Sequence, residues 1–140
     1  MAEGDNTFRN HFKAELFKGK VDLDGDTFKV QVVNATPDID TWDNEDDITG
    51  EISATGNTTV GKSLASLLVM ENDTNDRAEW DFADVTWTNL ATATINNAVV
   101  YLNTGVAATS IIVGWVAIST NSNGGDYTLQ INANGFAHLS

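Results

Sequence analysis

Phe8, Phe12 and Leu16 recur at every fourth position, with Phe17 adjoining, and predict a short amphipathic helix over residues 7–18. Asp5, Asn6 or Thr7 can cap its start, and Gly19 suits the left-handed position just past its end. A stripe this short predicts a helix packed across the open end of a β-structure. After Asp24-Gly25-Asp26 the period changes to two. Phe28, Val30 and Val32 face one way, Lys29, Gln31 and Val33 the other, which predicts a strand. An acidic loop carrying Trp42 follows, then an edge strand over 48–54, a segment over 63–70 that fits strand or helix, and a polar loop over 71–76. Residues 97–102 and 111–118 are nearly continuous apolar runs, the pattern of central strands covered on both faces. Residues 121–125 (Asn-Ser-Asn-Gly-Gly) predict a hairpin turn leading into the alternation of Tyr127, Leu129 and Ile131. Asn134-Gly135 turns into a last strand. Eight or nine short strands predict a mainly-β fold: one domain over 1–140, an antiparallel sandwich or barrel of jelly-roll-like type, with a short N-terminal helix.

Charge divides the chain. The net charge is −13, yet Arg9, Lys13, Lys18, Lys20 and Lys29 cluster early, most acids lie between Asp38 and Asp84, and Asp126 is the one charged residue from Val85 onward. Phosphate contact needs clusters of Lys and Arg, so nucleic acid is not an expected partner. No apolar run is long enough to cross a bilayer, so no membrane partner is expected, and the acidic start predicts no secretory signal. Without cysteine, disulfides and thiolate metal sites are excluded. Thr and Asn can lie against a protein partner without the desolvation cost of an ion. The uncharged outer positions Thr128, Gln130 and Asn132 are therefore candidates for an oligomer interface.

Few motifs point to chemistry. Residues 56–63 (Gly-Asn-Thr-Thr-Val-Gly-Lys-Ser) match the phosphate-binding G-x-x-x-x-G-K-S pattern, which works only between a buried strand and a helix of a parallel α/β sheet. Here the flanking sequence predicts strands and turns, so a strand connection is the better reading. Asp22, Asp24 and Asp26 have the opening spacing of a calcium loop, but Thr27 and Val33 stand where the glycine and the bidentate acid belong. The acids from Asp38 to Asp47 are a solvated loop in preference to a calcium site. His11 and His138 lie at opposite ends of the chain, and no nucleophile elbow is present. No catalytic residue, metal ligand or cofactor is assigned, and a non-enzymatic protein is expected. Among the tryptophans, Trp87 and Trp115 read as core. Trp42, isolated in its acidic loop, is the candidate exposed aromatic, and exposed aromatics on a β-sandwich can stack on sugars.

Two stretches carry a family resemblance. The first is residues 26–38 (Asp-Thr-Phe-Lys-Val-Gln-Val-Val-Asn-Ala-Thr-Pro-Asp), running into the Trp-containing acidic loop. The second is residues 82–89 (Phe-Ala-Asp-Val-Thr-Trp-Thr-Asn), then 98–105 (Ala-Val-Val-Tyr-Leu-Asn-Thr-Gly), then 112–116 (Ile-Val-Gly-Trp-Val). Together, behind a short helix, they resemble small virion structural proteins of tailed bacteriophages, including capsid decoration (cement) proteins. The resemblance implies a domain made in the bacterial host cytoplasm that binds the major capsid protein on the capsid exterior. It further implies a homo-oligomer about a local symmetry axis, a trimer being one such arrangement. On that reading Arg9, Lys13, Lys18 and Lys20 meet acidic capsid surface. The rival reading is a carbohydrate-binding or host-recognition β-domain of a tail or fibre, with Trp42 as its platform.

Overall fold

The computed structural model describes residues 2–3, 6–54 and 61–140. Two short strands, β1 (Ala2–Glu3) and β2 (Asn6–Thr7), precede helix α1 (Asn10–Phe17). Then follow β3 (Phe28–Val33), β4 (Lys62–Ser63), β5 (Leu68–Asn72), β6 (Arg77–Asp81) and β7 (Val85–Trp87). The chain ends with β8 (Thr94–Leu102), β9 (Ile112–Asn121), β10 (Tyr127–Ile131) and β11 (Ala137–Leu139). The strands form three sheets, ordered β4-β3-β8-β9, β2-β11-β6-β5 and β1-β10-β7. Pairing is antiparallel except where β1 joins β10 and β2 joins β11. The fold is thus mainly β with one short N-terminal helix, as the periodicity predicts, and the described residues form no closed barrel.

Alternation decides which side chains meet. Phe28, Val30 and Val32 of β3 and Ala98, Val100 and Leu102 of β8 enter one large core. Trp80, Phe82, Trp87, Leu129 and Phe136 from the other two sheets meet them there. Trp80 stands at its centre, edge-on to Phe28 at 4.9 Å and to Phe82 at 5.2 Å, with its indole N–H donating to the Leu23 carbonyl at 2.8 Å. Phe8 and Phe12 stack at 5.1 Å and close this core from the helix side.

The other face of β3 and β8 carries Val33, Val99 and Tyr101, which build a second cluster with Ile112 and Trp42. Its cover is the acidic loop. Asn96 and Asn97 donate to the Asn34 and Ala35 carbonyls, and the Ile112 N–H donates to the Asp43 carbonyl. The expected exposure of Trp42 is therefore wrong: only 8% of it is accessible, and it meets Trp115 edge-on at 6.3 Å. The physical reason is the second apolar face of β3 and β8, which needs an apolar lid; the loop's Trp42 supplies it, while Ile39 of the same loop stays exposed.

Other expectations shift in register or in partner. Residues 6–7 do not cap the helix, because they pair with Ala137 and His138 of β11. Arg9 occupies the cap position in extended backbone with no side-chain cap bond, while its N–H donates to the Val113 carbonyl. Gly19 does take the left-handed conformation, at φ +71°. The edge strand expected over 48–54 reduces to isolated bridge positions at Glu51, opposite Val33, and at Ala54, with the Ile52 N–H donating to the Val32 carbonyl. Residues 63–70 resolve into β4 and the start of β5, parted at Ser66, whose φ is +56°. The turn at 121–125 ends β9 but closes no hairpin, since β10 pairs with β7 and β1 in a different sheet. Ser122 redirects the chain: its hydroxyl bonds the Ala91 carbonyl and accepts from the Ala93 N–H.

Candidate functional site

Helix α1 presents the most unusual side chain on the surface. Phe12 is fully buried and Leu16 half-buried, but Phe17 is 86% exposed. One helical step from Leu16 turns it about 100° away, onto the face it shares with Lys13 one turn earlier. Lys18 and Lys20 follow it in sequence, both well exposed. Their ammonium groups grip one carboxylate: Lys18 Nζ lies 2.6 Å from Glu15 Oε1 and Lys20 Nζ 2.9 Å from Glu15 Oε2. Those hydrogen bonds hold the Glu15 pKa down at about 2. The three groups together carry one net positive charge, to which Lys13 adds another. The helix end thus combines an exposed phenyl ring, Lys13 on the same face and the Lys18–Glu15–Lys20 cluster, on a molecule whose net charge is −13.

Arg9 stands apart from these lysines. Its guanidinium lies 4.1 Å from the ring centre of Trp115, and Nη2 donates to the Ile39 carbonyl at 2.7 Å. Burial lowers its pKa, against the upward pull of Asp43 and Asp40. Arg9 thereby pins the N-terminal segment and the acidic loop over the Trp42–Trp115 pair.

A polar cleft of about 400 Å³ opens beside the helix, lined by His11, Glu15, Lys20, Asn44, Thr104 and Thr109. Its hydroxyls are internally committed: Thr104 and Thr109 share a hydrogen bond at 2.6 Å, and the hydroxyl that accepts it donates its own proton to the Val106 carbonyl. With Glu15 fixed as an anion far below neutral pH, this cleft offers polar binding groups and no carboxyl poised to donate a proton near pH 7.

The uncharged interface candidates separate. Thr128 and Gln130 lie exposed on the outer side of β10, and the Thr128 hydroxyl bonds that of Thr86 on β7 at 2.7 Å. Asn132 lies beyond the strand, half-buried, and its Oδ1 accepts the Asn134 N–H. Since β10 is flanked by β1 and β7, its outer face, and not its edge, is what remains available.

Within the G-x-x-x-x-G-K-S match, residues 56–60 lie outside the described residues. Lys62 and Ser63 form β4, paired antiparallel to β3, where a phosphate loop needs a helix. The Lys62 ammonium donates to the Thr86 carbonyl at 2.5 Å. Gly61 has a packing reason of its own: φ is +64°, and a Cβ there would come within 2.7 Å of the Tyr101 hydroxyl. In the Asp22–Asp26 turn, the Asp22 and Asp26 carboxylates accept backbone N–H groups of the turn itself, and the Asp24 pKa is raised by its hydrogen bond and repulsion with Asp22. Among the described residues no group of three or more His, Asp or Glu is arranged to hold a metal ion, and no helix is long and apolar enough to cross a membrane. No family model matches this chain, and comparisons with curated proteins and with solved structures also return no match.

Proposed function

We propose that this chain is a non-enzymatic structural protein of a tailed-bacteriophage particle, a decoration protein on the capsid exterior that binds and stabilises the assembled lattice. The family resemblance of residues 26–38, 82–89, 98–105 and 112–116 motivates the class. The observation that carries the docking mode is Phe17, 86% exposed on the helix face it shares with Lys13, with Lys18 and Lys20 just after it in sequence. An exposed aromatic beside cationic side chains suits an interface anchor. Burying it in a partner pocket contributes about 2 kcal/mol, roughly a thirtyfold gain in affinity per copy. The cations select an acidic partner surface, and the acidic remainder of the molecule is repelled from that surface, so the helix end leads. A lattice repeats the contact, and avidity makes a modest single-site affinity sufficient. The outer face of β10, with Thr128 and Gln130, is the surface on which copies associate about a local symmetry axis.

The test is occupancy on purified particles of the encoding phage. Phe17→Ser and the triple change of Lys13, Lys18 and Lys20 to Glu should each strip the protein from the shell. Occupancy equal to wild type in both would refute the docking mode. A gene for the major capsid protein beside this one would support the class, and a particle lacking the protein altogether would remove it. The carbohydrate-binding rival has lost the aromatic platform it rested on, because Trp42 is buried.

A further inference from the structure

We infer that the free edge of β5 is a strand-addition site, which takes an extended, basic segment of a partner protein. Sheet edges expose unpaired backbone groups, and proteins ordinarily shorten, cap or charge them. Among the described residues, most of the other edges are treated in one of those ways. β1, β2 and β4 are two residues long. β9 is capped at its start, where its Val113 carbonyl accepts the Arg9 N–H and its Ile112 N–H meets the Asp43 carbonyl. β7 has the Lys62 ammonium on its Thr86 carbonyl.

β5 differs in setting exposed aliphatic side chains along an open edge, with Glu71 as its one charged residue. It pairs with β6 on one side through five consecutive residues without a bulge, and no strand lies on its other side among the described residues. It holds no proline and no lysine. Leu68 and Val69, which point to opposite faces, are 49% and 43% exposed. Beside Val69 an apolar hollow of about 180 Å³ opens, lined by Phe8, Leu16, Leu23, Trp80 and Leu139. An added strand gains main-chain hydrogen bonds from the edge, and alternate side chains find apolar seats on either face.

Charge selects the occupant. Residues 64–84 contain six acids (Glu71, Asp73, Asp76, Glu79, Asp81, Asp84) and one base, Arg77, whose Nε is 2.9 Å from Glu79 Oε1. A second copy would set like acids against one another. A segment alternating aliphatic residues with Lys or Arg complements the site in both shape and charge. This inference stands apart from the helix-end docking above, since the two surfaces use different residues.

The probe is a synthetic peptide of alternating valine and lysine, added to the full chain while amide exchange is followed residue by residue. The expected result is slowed exchange in β5, absent with a valine–glutamate peptide and absent when alternate amides of the valine–lysine peptide are N-methylated. Val69→Lys should weaken peptide binding roughly tenfold or more, as expected for losing a half-buried aliphatic contact. Leu68→Lys, on the opposite face, provides the same test should Val69→Lys fold poorly. No binding, binding without protection of β5, or equal protection by the glutamate or N-methylated peptide would overturn the inference. So would protection of β5 that rises with the protein's own concentration alongside a sedimenting dimer, which assigns the edge to a second copy.

Discussion

Two regions of this molecule carry outward-facing apolar side chains, and they are treated in opposite ways. On the outer face of β3 and β8, Val33, Val99 and Tyr101 are sealed beneath a loop that brings Trp42 and is pinned by Arg9. At the edge of β5, Leu68 and Val69 stand open beside an apolar hollow. Covering the first region requires an acidic loop to be held by Asn96, Asn97 and Arg9, so apolar exposure there is avoided at the expense of ordering many residues. Leaving the second uncovered retains backbone groups and aliphatic surface for an incoming chain. Exposed hydrophobics are informative when they are contiguous and the rest of the surface shows that the fold can cover them.

The contrast can be broken at the lid. Trp42→Ala should destabilise the protein by about 3 kcal/mol, the range of large aromatic truncations in a core, as read from urea unfolding. A loss under about 1 kcal/mol would mean that the loop is no core layer. Tyr101 lies beneath the same lid, and burial raises the pKa of its hydroxyl, which accepts from Gln31 Nε2 at 3.2 Å. Because the folded state favours the neutral phenol, its contribution is complete below the unfolded value of about 10 and is lost as pH rises toward the raised folded value. Tyr101→Phe should abolish that alkaline loss in the unfolding midpoint, at a cost near neutral pH of about 1 kcal/mol for the lost hydrogen bond.

Arg9→Ala should cost about 1 kcal/mol through loss of the contact to Trp115 and the bond to Ile39. Arg9→Lys should recover only part of it, since an ammonium lacks the planar fork. Calorimetry of the three proteins decides the point. At the open edge the expectation inverts: Leu68→Lys should leave stability within about 0.5 kcal/mol of wild type. A thermal midpoint that falls as far as in Trp42→Ala would show that Leu68 is packed and erase the contrast.

Much of the architecture was legible because it follows from alternation. The faces of β3 came straight from Phe28, Val30 and Val32, and the continuous run in β8 announced cover on both sides. What the run could not announce was the identity of the cover. Trp42 in an acidic loop looks exposed locally, and its burial depends on bonds to Asn96 and Asn97, residues 62 positions from the carbonyls they hold. Similarly, the Asn-Gly-Gly turn marked the end of β9 but not the sheet that β10 would join. Within the candidate site, the lysines were visible as a cluster. Their partition was not: Arg9 was drawn to Trp115, Lys18 and Lys20 to Glu15, and Phe17 was left exposed by its angular step from Leu16. The β5 edge was hidden altogether, since the segment fitted helix and strand alike.

The sequence by itself determined a mainly-β chain with a short helix, an acidic middle and an uncharged C-terminal half, because periodicity and charge are local properties of the chain. Only the tertiary structure decided which apolar faces are sealed and which remain open. That choice depends on long-range pairing, where a loop's side chain, a strand's edge and a distant carbonyl must come together before burial can favour any of them.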